Sequence, residues 1–250
     1  MQALKQSKPS ACYASALAFL TIIPLKQPCE WDDRGKLAFF PIAGLTIGAM
    51  LICTDWIAGF FFSSIAARAI VDILFLSIIT GGLHLDGLAD SADGLLSHGD
   101  RKTALDIMKD PHIGVFGTVA LILVLQAKWC GIAFFLPSTR WMALLFVPVY
   151  SRSAMLVCFH LLPYARKQGI ASGFASQKGG WKELYFLLVP LILPFFFSWK
   201  CALAFILLST VLTLAWCIIC RRKIEGITGD TAGALGEIVE AALFITGCAI

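Results

Sequence analysis

Residues 201–219 read Cys-Ala-Leu-Ala-Phe-Ile-Leu-Leu-Ser-Thr-Val-Leu-Thr-Leu-Ala-Trp-Cys-Ile-Ile, without one charged side chain. A helix of that length crosses a bilayer, which takes about 17–25 apolar residues. Comparable runs occupy 37–61, 65–85, 113–136, 141–162 and 181–199, and a marginal one fills 234–250. Of the 250 residues, 58% are hydrophobic and 14% charged, with a mean hydropathy of +0.81. Soluble domains carry about 25% charged residues, so no aqueous core absorbs this chain. The expected fold is all-α, a polytopic transmembrane helix bundle of about seven spans in a single domain over 1–250. Gly44 and Gly48 form a small-xxx-small pair that lets another helix approach closely. Pro190 and Pro194 are expected to bend the 181–199 span.

Taking those runs as crossings, the loops 26–36, 86–112, 163–182 and 220–230 share one side. They hold Lys26, Arg34, Lys36, Arg101, Lys102, Lys109, Arg166, Lys167, Lys178, Lys182, Arg221, Arg222 and Lys223, more than half of the 20 basic residues. Only Arg68, Arg140 and Lys200 fall on the other side, so the positive-inside rule makes the first side cytoplasmic. The net charge of +4 therefore reads as topology and not as a nucleic-acid surface. The apolar stretch 11–25, after Lys5 and Lys8, resembles a signal peptide. Pro24, Lys26 and Pro28 stand where small residues mark cleavage, so it is expected to stay as a short re-entrant or interfacial helix. The nine cysteines are scattered; Cys217 and Cys220 have no second pair to complete a zinc site and read as small apolar filler.

Into this apolar chain the segment 84–100, His-Leu-Asp-Gly-Leu-Ala-Asp-Ser-Ala-Asp-Gly-Leu-Leu-Ser-His-Gly-Asp, brings four acids. Asp86, Asp90 and Asp93 are spaced i, i+4, i+7, within roughly 60° of arc on a helix. Three like charges that close repel one another, and each is costly to keep charged near hydrocarbon. A helix N-terminus explains one or two acids by its dipole, not three on one face. Small neighbours, Gly87, Ala89 and Ala92, leave room for a bulky ligand. A hard divalent cation with a diphosphate is the expected occupant, Mg²⁺ being bound by a few carboxylates together with substrate phosphates.

Further candidates lie in the same loops. Arg101 and Lys109 are cations for phosphate or ordinary loop charges, and Pro111 and Gly114 mark a turn before the next span. Gly226-Ile-Thr-Gly-Asp-Thr-Ala-Gly233 sets Gly229 and Asp230 in a glycine-rich turn whose backbone N–H groups face an anion. Glu237 and Glu240 follow on one face of the last apolar run, and acids inside a span are functional candidates. Arg152 lies mid-span and needs an acid or a bound phosphate; Arg166 lies in a loop on the acidic side. Asp72 with Arg68, spaced i, i+4, reads as a structural pair. His84 and His98 flank the acids, and either suits a general base near neutral pH.

Gly81-Gly-Leu-His-Leu-Asp-Gly-Leu-Ala-Asp-Ser-Ala-Asp-Gly resembles the signature of the cobalamin synthase family, the adenosylcobinamide-GDP ribazoletransferases. The resemblance runs on through Ala104-Leu-Asp-Ile-Met-Lys-Asp-Pro-His-Ile-Gly-Val-Phe-Gly117 and Gly-Ile-Thr-Gly-Asp-Thr-Ala-Gly-Ala-Leu-Gly-Glu237. Weaker echoes are Phe19-Leu-Thr-Ile-Ile-Pro, Phe40-Pro-Ile-Ala-Gly-Leu-Thr-Ile-Gly and Leu162-Pro-Tyr-Ala-Arg-Lys-Gln-Gly. Gly236 departs from it, standing where a larger polar residue is expected. The resemblance implies a Mg²⁺-dependent, multi-pass enzyme of the bacterial cytoplasmic (inner) membrane, its site facing the cytoplasm. Such an enzyme joins adenosylcobinamide-GDP to α-ribazole or its 5′-phosphate and releases GMP. On that basis Asp86, Asp90 and Asp93 are expected to hold the metal. Asp93, His98 and Asp230 are expected to be catalytic, and Arg101, Lys109, Arg152, Arg166, Gly229 and Glu240 to bind substrate. The lipid bilayer is a partner, nucleic acid is not, and a homo-oligomer stays open. Asp90-Ser-Ala-Asp-Gly-Leu-Leu-Ser-His also resembles half of the CDP-alcohol phosphotransferase pattern, with Ser97 and His98 in place of Ala and Arg and the downstream aspartates missing. A cation or proton transporter would line a path with its acids, whereas these cluster at one face.

Overall fold

The computed structural model describes residues 9–25, 34–135, 137–166 and 181–248. In hydrocarbon the backbone must satisfy its own hydrogen bonds, which leaves helices as the solution for these apolar runs. Among the described residues eleven α-helices follow in order: α1 (Pro9–Leu20), α2 (Arg34–Ala38), α3 (Phe40–Phe61), α4 (Ile65–Ile79), α5 (Leu83–Leu96), α6 (Arg101–Ile107), α7 (Val115–Ala133), α8 (Pro137–Leu161), α9 (Leu188–Ile192), α10 (Trp199–Ile224) and α11 (Gly229–Cys248). Of these, α3, α7, α8, α10 and α11 are each long and apolar enough to cross a membrane. Among the described residues the only β-type pairing is an isolated bridge between Tyr164 and Ile227.

Two of the expected crossings are not straight helices. The 65–85 run breaks after Ile79, and α4 and α5 meet at 85°. Gly81 and Gly82 turn the chain there with φ of +62° and +72°, a region that costs residues with a Cβ but not glycine. The 181–199 run is divided into 3₁₀ turns at Trp181–Leu187 and Leu193–Phe196 flanking the five-residue α9. Pro190 and Pro194 remove backbone donors in neighbouring turns, so they break the helix and do not merely bend it. The segment still traverses the bundle. Phe186 meets Phe39 at the start of α3, the Tyr150 hydroxyl donates to the Pro190 carbonyl (2.7 Å) halfway along α8, and Phe197 meets Trp141 near the start of α8.

Helices α3 and α8 run antiparallel in close contact. A Cβ at Gly44 would lie 2.6 Å from the Pro148 carbonyl oxygen, and one at Gly48 would strike Leu145, which is the close approach expected of that pair. The N-terminus of α3 thus shares an end of the bundle with the C-terminus of α8. The Tyr164–Ile227 bridge brings the α10–α11 loop there too. Helix α1, about 18 Å long, joins this end without crossing. Its Tyr13 hydroxyl bonds Thr46 (2.7 Å), Phe19 stacks on Phe40, and the Ile22 N–H donates to the Ile79 carbonyl (2.8 Å). The basic loops that are described gather at that same end.

At the opposite end an ion network ties α3, α4 and α8. Arg140 donates to Asp55 (2.7 Å) and Asp72 (2.6 Å), and Arg68 pairs with Asp55. The i, i+4 pairing of Asp72 with Arg68 is therefore replaced by one across helices, because the Asp72 carboxylate is buried against α8 and Arg68 stays half-exposed. Cys217 and Cys220 are buried free thiols on α10 beside Cys158, core filler as expected.

Candidate active site

The site is built where α5 crosses the N-terminus of α11. A Cβ at Gly87 would lie 2.7 Å from the Asp230 carbonyl oxygen and 2.9 Å from its Cα. Only glycine lets the two backbones approach so closely, and the approach carries Asp230 up to Asp86 and Asp90. Asp230 is not in a loose glycine-rich turn: α11 already starts at Gly229. That start is fixed by a reciprocal cap. Thr228 Oγ1 accepts from the Thr231 N–H (3.1 Å), and Thr231 Oγ1 accepts from the Thr228 N–H (2.8 Å), satisfying donors that helix ends leave open. Beside it, the Ala165 N–H donates to Ile227 and the Ile227 N–H to Pro163, each at 2.8 Å. This clamp delivers Arg166, whose guanidinium pairs with the Asp230 carboxylate at 2.7 Å.

Asp93 has a different task. Its two carboxylate oxygens accept from the backbone N–H groups of Gly114 (2.7 Å) and Gly117 (2.9 Å), and so cap the N-terminus of α7 from a neighbouring helix. A side chain at either glycine would run into that carboxylate. Asp93 shares a helix face with Asp86 and Asp90 by spacing, but it does not line their cleft. Among the described residues no three His, Cys, Asp or Glu side chains stand close enough to form a metal cage. The metal set expected from spacing thus loses its third member to α7.

Three adjoining hollows surround the crossing. The first, about 460 Å³, is lined by Asp86 and Asp90, by Gly82 and Ala89, and by the loop Met108–Ile113. Asp90 there experiences Asp86, Asp230 and Asp93 as like charges and Arg166 as the opposing one. In the loop, the Asp110 carboxyl is held below its usual range by the His112 backbone N–H and then by its ring. The second hollow, about 660 Å³, is basic, with Arg101, Lys102, Lys109 and Arg166 on its walls. The third, about 190 Å³, is largely apolar. Phe19, Phe159, Tyr164 and His84 line it, and Arg166, Gly229 and Asp230 form its polar edge. Lys109 belongs to the first two hollows and Arg166 to the last two, so an acidic, a basic and an aromatic compartment are contiguous.

Other expected site residues fall elsewhere. Arg152 and Glu240 pair with each other, 1% exposed apiece, and face none of these hollows. Lys128 completes their network, reaching Glu237 at 2.7 Å and Glu240 at 2.6 Å. These four charges lie roughly 12–20 Å along their helices from the site end and join α7, α8 and α11. Arg152 thus meets an acid and not a phosphate. Arg101 lines the basic hollow, but its Nε and terminal nitrogen donate to the carbonyls of Ile224 and Ala165 (both 2.9 Å). Lys223 likewise donates to Ser97 (2.6 Å) and Gly99 (2.8 Å), so both act as braces for the loops. His98 is exposed beyond the end of α5 and lines none of the three hollows. Gly236 packs on α8, where a Cβ would be 3.0 Å from Ser151 Oγ, which leaves no room for a larger polar side chain. Lys128 and the aromatic walls Phe159 and Tyr164 were not singled out from sequence. A lone lysine within an apolar run was the available signal for the first.

The family model described as cobalamin-5-phosphate synthase matches residues 13–248. The adenosylcobinamide-GDP ribazoletransferase of Clostridium tetani is 36% identical over 234 residues, covering 90% of each chain. That of Geotalea daltonii is 36% identical over 251 residues, with 95% of this chain and 97% of the relative covered. The Pseudomonas putida GB-1 protein of the same name is 34% identical over 241 residues, covering 92% and 95%. No solved structure matches.

Proposed function

The chain belongs to the cobalamin-5-phosphate synthase family, and from that premise we propose that it transfers adenosylcobinamide phosphate from adenosylcobinamide-GDP to α-ribazole or its 5′-phosphate. A hydroxyl oxygen of the ribazole attacks the phosphorus next to the corrinoid. The P–O bond to the bridging oxygen breaks, and GMP leaves with that oxygen. The hydroxyl proton passes to a carboxylate, for which Asp230 is assigned because it borders both the aromatic hollow and the acidic pair. Lys109 and Arg166 hold the diphosphate as cations, with the basic hollow receiving the departing phosphate.

Asp86 and Asp90 are the assigned holders of Mg²⁺. Two carboxylates on one cleft wall, with no third protein ligand gathered among the described residues, suit an ion that keeps waters and shares substrate phosphates. When bound, Mg²⁺ offsets phosphate charge and stabilises negative charge on the leaving group. The site end carries the basic loops, and the positive-inside rule supports an orientation in which it faces the cytoplasm at the bacterial inner membrane.

One observation carries this function: acidic, cationic and aromatic walls adjoin at a single bundle end, matching the metal, diphosphate and heterocycle of the two substrates. The test is GMP release by the purified, detergent-solubilised protein given adenosylcobinamide-GDP and α-ribazole. Release is expected with Mg²⁺, and none with Mg²⁺ chelated or with Asp90→Asn. Absence of GMP under every condition, or undiminished turnover in Asp90→Asn, would overturn it.

A further inference from the structure

The aromatic hollow has a feature that packing alone does not explain. His84 is 3% exposed, and its Nδ1 has no hydrogen-bond partner among the described residues. Buried polar atoms are almost always partnered, and leaving one bare is costly. The ring is seated by close contact with α11, since a Cβ at Gly233 would lie 3.3 Å from His84 Cδ2. His84 is therefore an incompletely bonded imidazole in the wall of a pocket whose other walls include Phe19, Phe159, Tyr164 and Met155.

We propose that this hollow is the seat of the acceptor's heteroaromatic base, with the His84 imidazole as the base's hydrogen-bond partner. The proposal rests on the transferase reading above and adds the acceptor subsite to it. At about 190 Å³ the hollow is smaller than the roughly 300–1,000 Å³ of pockets that enclose whole drug-sized ligands. It suits one planar ring system, with the attached sugar outside. Aromatic side chains stack on any π face, and a neutral imidazole offers one donor and one acceptor. A benzimidazole joined to ribose through one nitrogen keeps a single free acceptor on the other, so one N–H from His84 completes its polar needs. Guanine presents several donors and acceptors at its edge. The other walls of the hollow, Phe19, Leu83, Met155 and Phe159, offer nothing to match them. The rim itself is Asp230, so a sugar hydroxyl leaving the hollow emerges beside the proposed proton acceptor.

Equilibrium binding of α-ribazole to the detergent-solubilised protein, followed by benzimidazole fluorescence, tests this. Saturable binding is expected, displaced by free benzimidazole and not by GMP. The indole riboside, which lacks the free ring nitrogen, is expected to bind about tenfold more weakly, the loss of one hydrogen bond. In His84→Phe the benzimidazole riboside falls to the indole level and the discrimination disappears, while His84→Gln, which keeps a donor, restores it. Absence of binding, displacement by GMP, or unchanged discrimination in His84→Phe overturns the proposal. If His84→Phe does not elute as a monodisperse protein, the wild-type analogue series and His84→Gln decide alone. Binding as expected without any GMP release would sink the transferase reading and keep the subsite. Turnover with a ribazole KM unmoved in His84→Phe, and equal use of indole and benzimidazole ribosides, would do the reverse.

Discussion

Asp93→Asn separates the two kinds of aspartate on α5. The substitution keeps the shape of the side chain but leaves one oxygen where the carboxylate had two. One of the donors, Gly114 N–H at 2.7 Å or Gly117 N–H at 2.9 Å, then faces an NH₂ group. Losing a hydrogen bond to a charged group costs about 1.5–3 kcal/mol, and losing a negative charge at a helix N-terminus about 0.3–1 kcal/mol more. Together these come to about 2–4 kcal/mol. For a chain of this size each kcal/mol moves the melting temperature by about 2–4 °C, so a fall of about 5–15 °C is expected. Thermal unfolding in detergent reads that shift, with GMP release measured well below the new midpoint. Asp86→Asn and Asp90→Asn are expected to do the opposite: turnover collapses, and the melting temperature holds or rises because a repelling charge is gone. A wild-type melting temperature for Asp93→Asn with turnover abolished would refute the capping role and return Asp93 to the reacting centre.

Gly87→Ala should push α5 off Asp230, because the new Cβ would meet backbone 2.7 Å away. A displacement near 1 Å at a reacting centre costs about a hundredfold in rate, so kcat should fall by that order while the protein still inserts and elutes as a single species. Lys128→Met leaves Glu237 and Glu240 buried without their shared cation. Breaking one partner of a buried ion pair costs about 3–5 kcal/mol, so its melting temperature should drop sharply, and adding Glu237→Gln should restore part of the loss. Arg166→Ala frees Asp230 and removes a phosphate cation, so KM for the GDP-activated corrinoid should rise and Arg166→Lys should recover less than half of the loss, since a point charge does not replace a planar fork. Equal kinetic constants in Arg166→Ala and wild type would remove Arg166 from the site.

The bundle was legible because its cause is local. Apolar runs and loop charges are read one residue at a time, and both the shared end of the basic loops and the glycine contacts at Gly44 and Gly48 follow from them. The small residue Gly87 reads from sequence as room for a ligand, and the structure fills that room with the backbone of α11 at Asp230. What escaped depends on partners distant in the chain. Asp93 is indistinguishable from Asp86 and Asp90 by spacing, and differs only because Gly114 and Gly117 lie opposite it. Lys128 meets acids 109 and 112 positions away, and no period in the sequence reports such a pairing. Arg152 announced a need for a counter-charge but not which one. Pro190 and Pro194 signalled disruption, and whether two close prolines bend a helix or end it is decided by the neighbours that stabilise the pieces.

Charge balance is what divides these groups into scaffold and site. At the far end Arg68 and Arg140 meet Asp55 and Asp72, and in the middle Lys128 and Arg152 meet Glu237 and Glu240. Each set sums to zero, as burial demands, because an unpaired charge in a medium of low dielectric costs several kcal/mol. At the α5–α11 crossing Asp86, Asp90 and Asp230 are opposed within the cluster by Arg166; Asp93 is taken up by the N-terminus of α7, and Lys109 and Asp110 add one charge of each sign to the acidic hollow. Two negative charges are left over. A folded chain that neutralises two ionic clusters side chain by side chain leaves the third short by two positive charges, and it does so where the bundle opens into hollows. Supplying the missing charge from the protein should then stabilise the fold and abolish the function together. Leu85→Lys, at a partly exposed position on the wall of the acidic hollow, is expected to raise the melting temperature while GMP release falls to background. A variant that stays active with that lysine in place would show that the two leftover charges are not held for a cation.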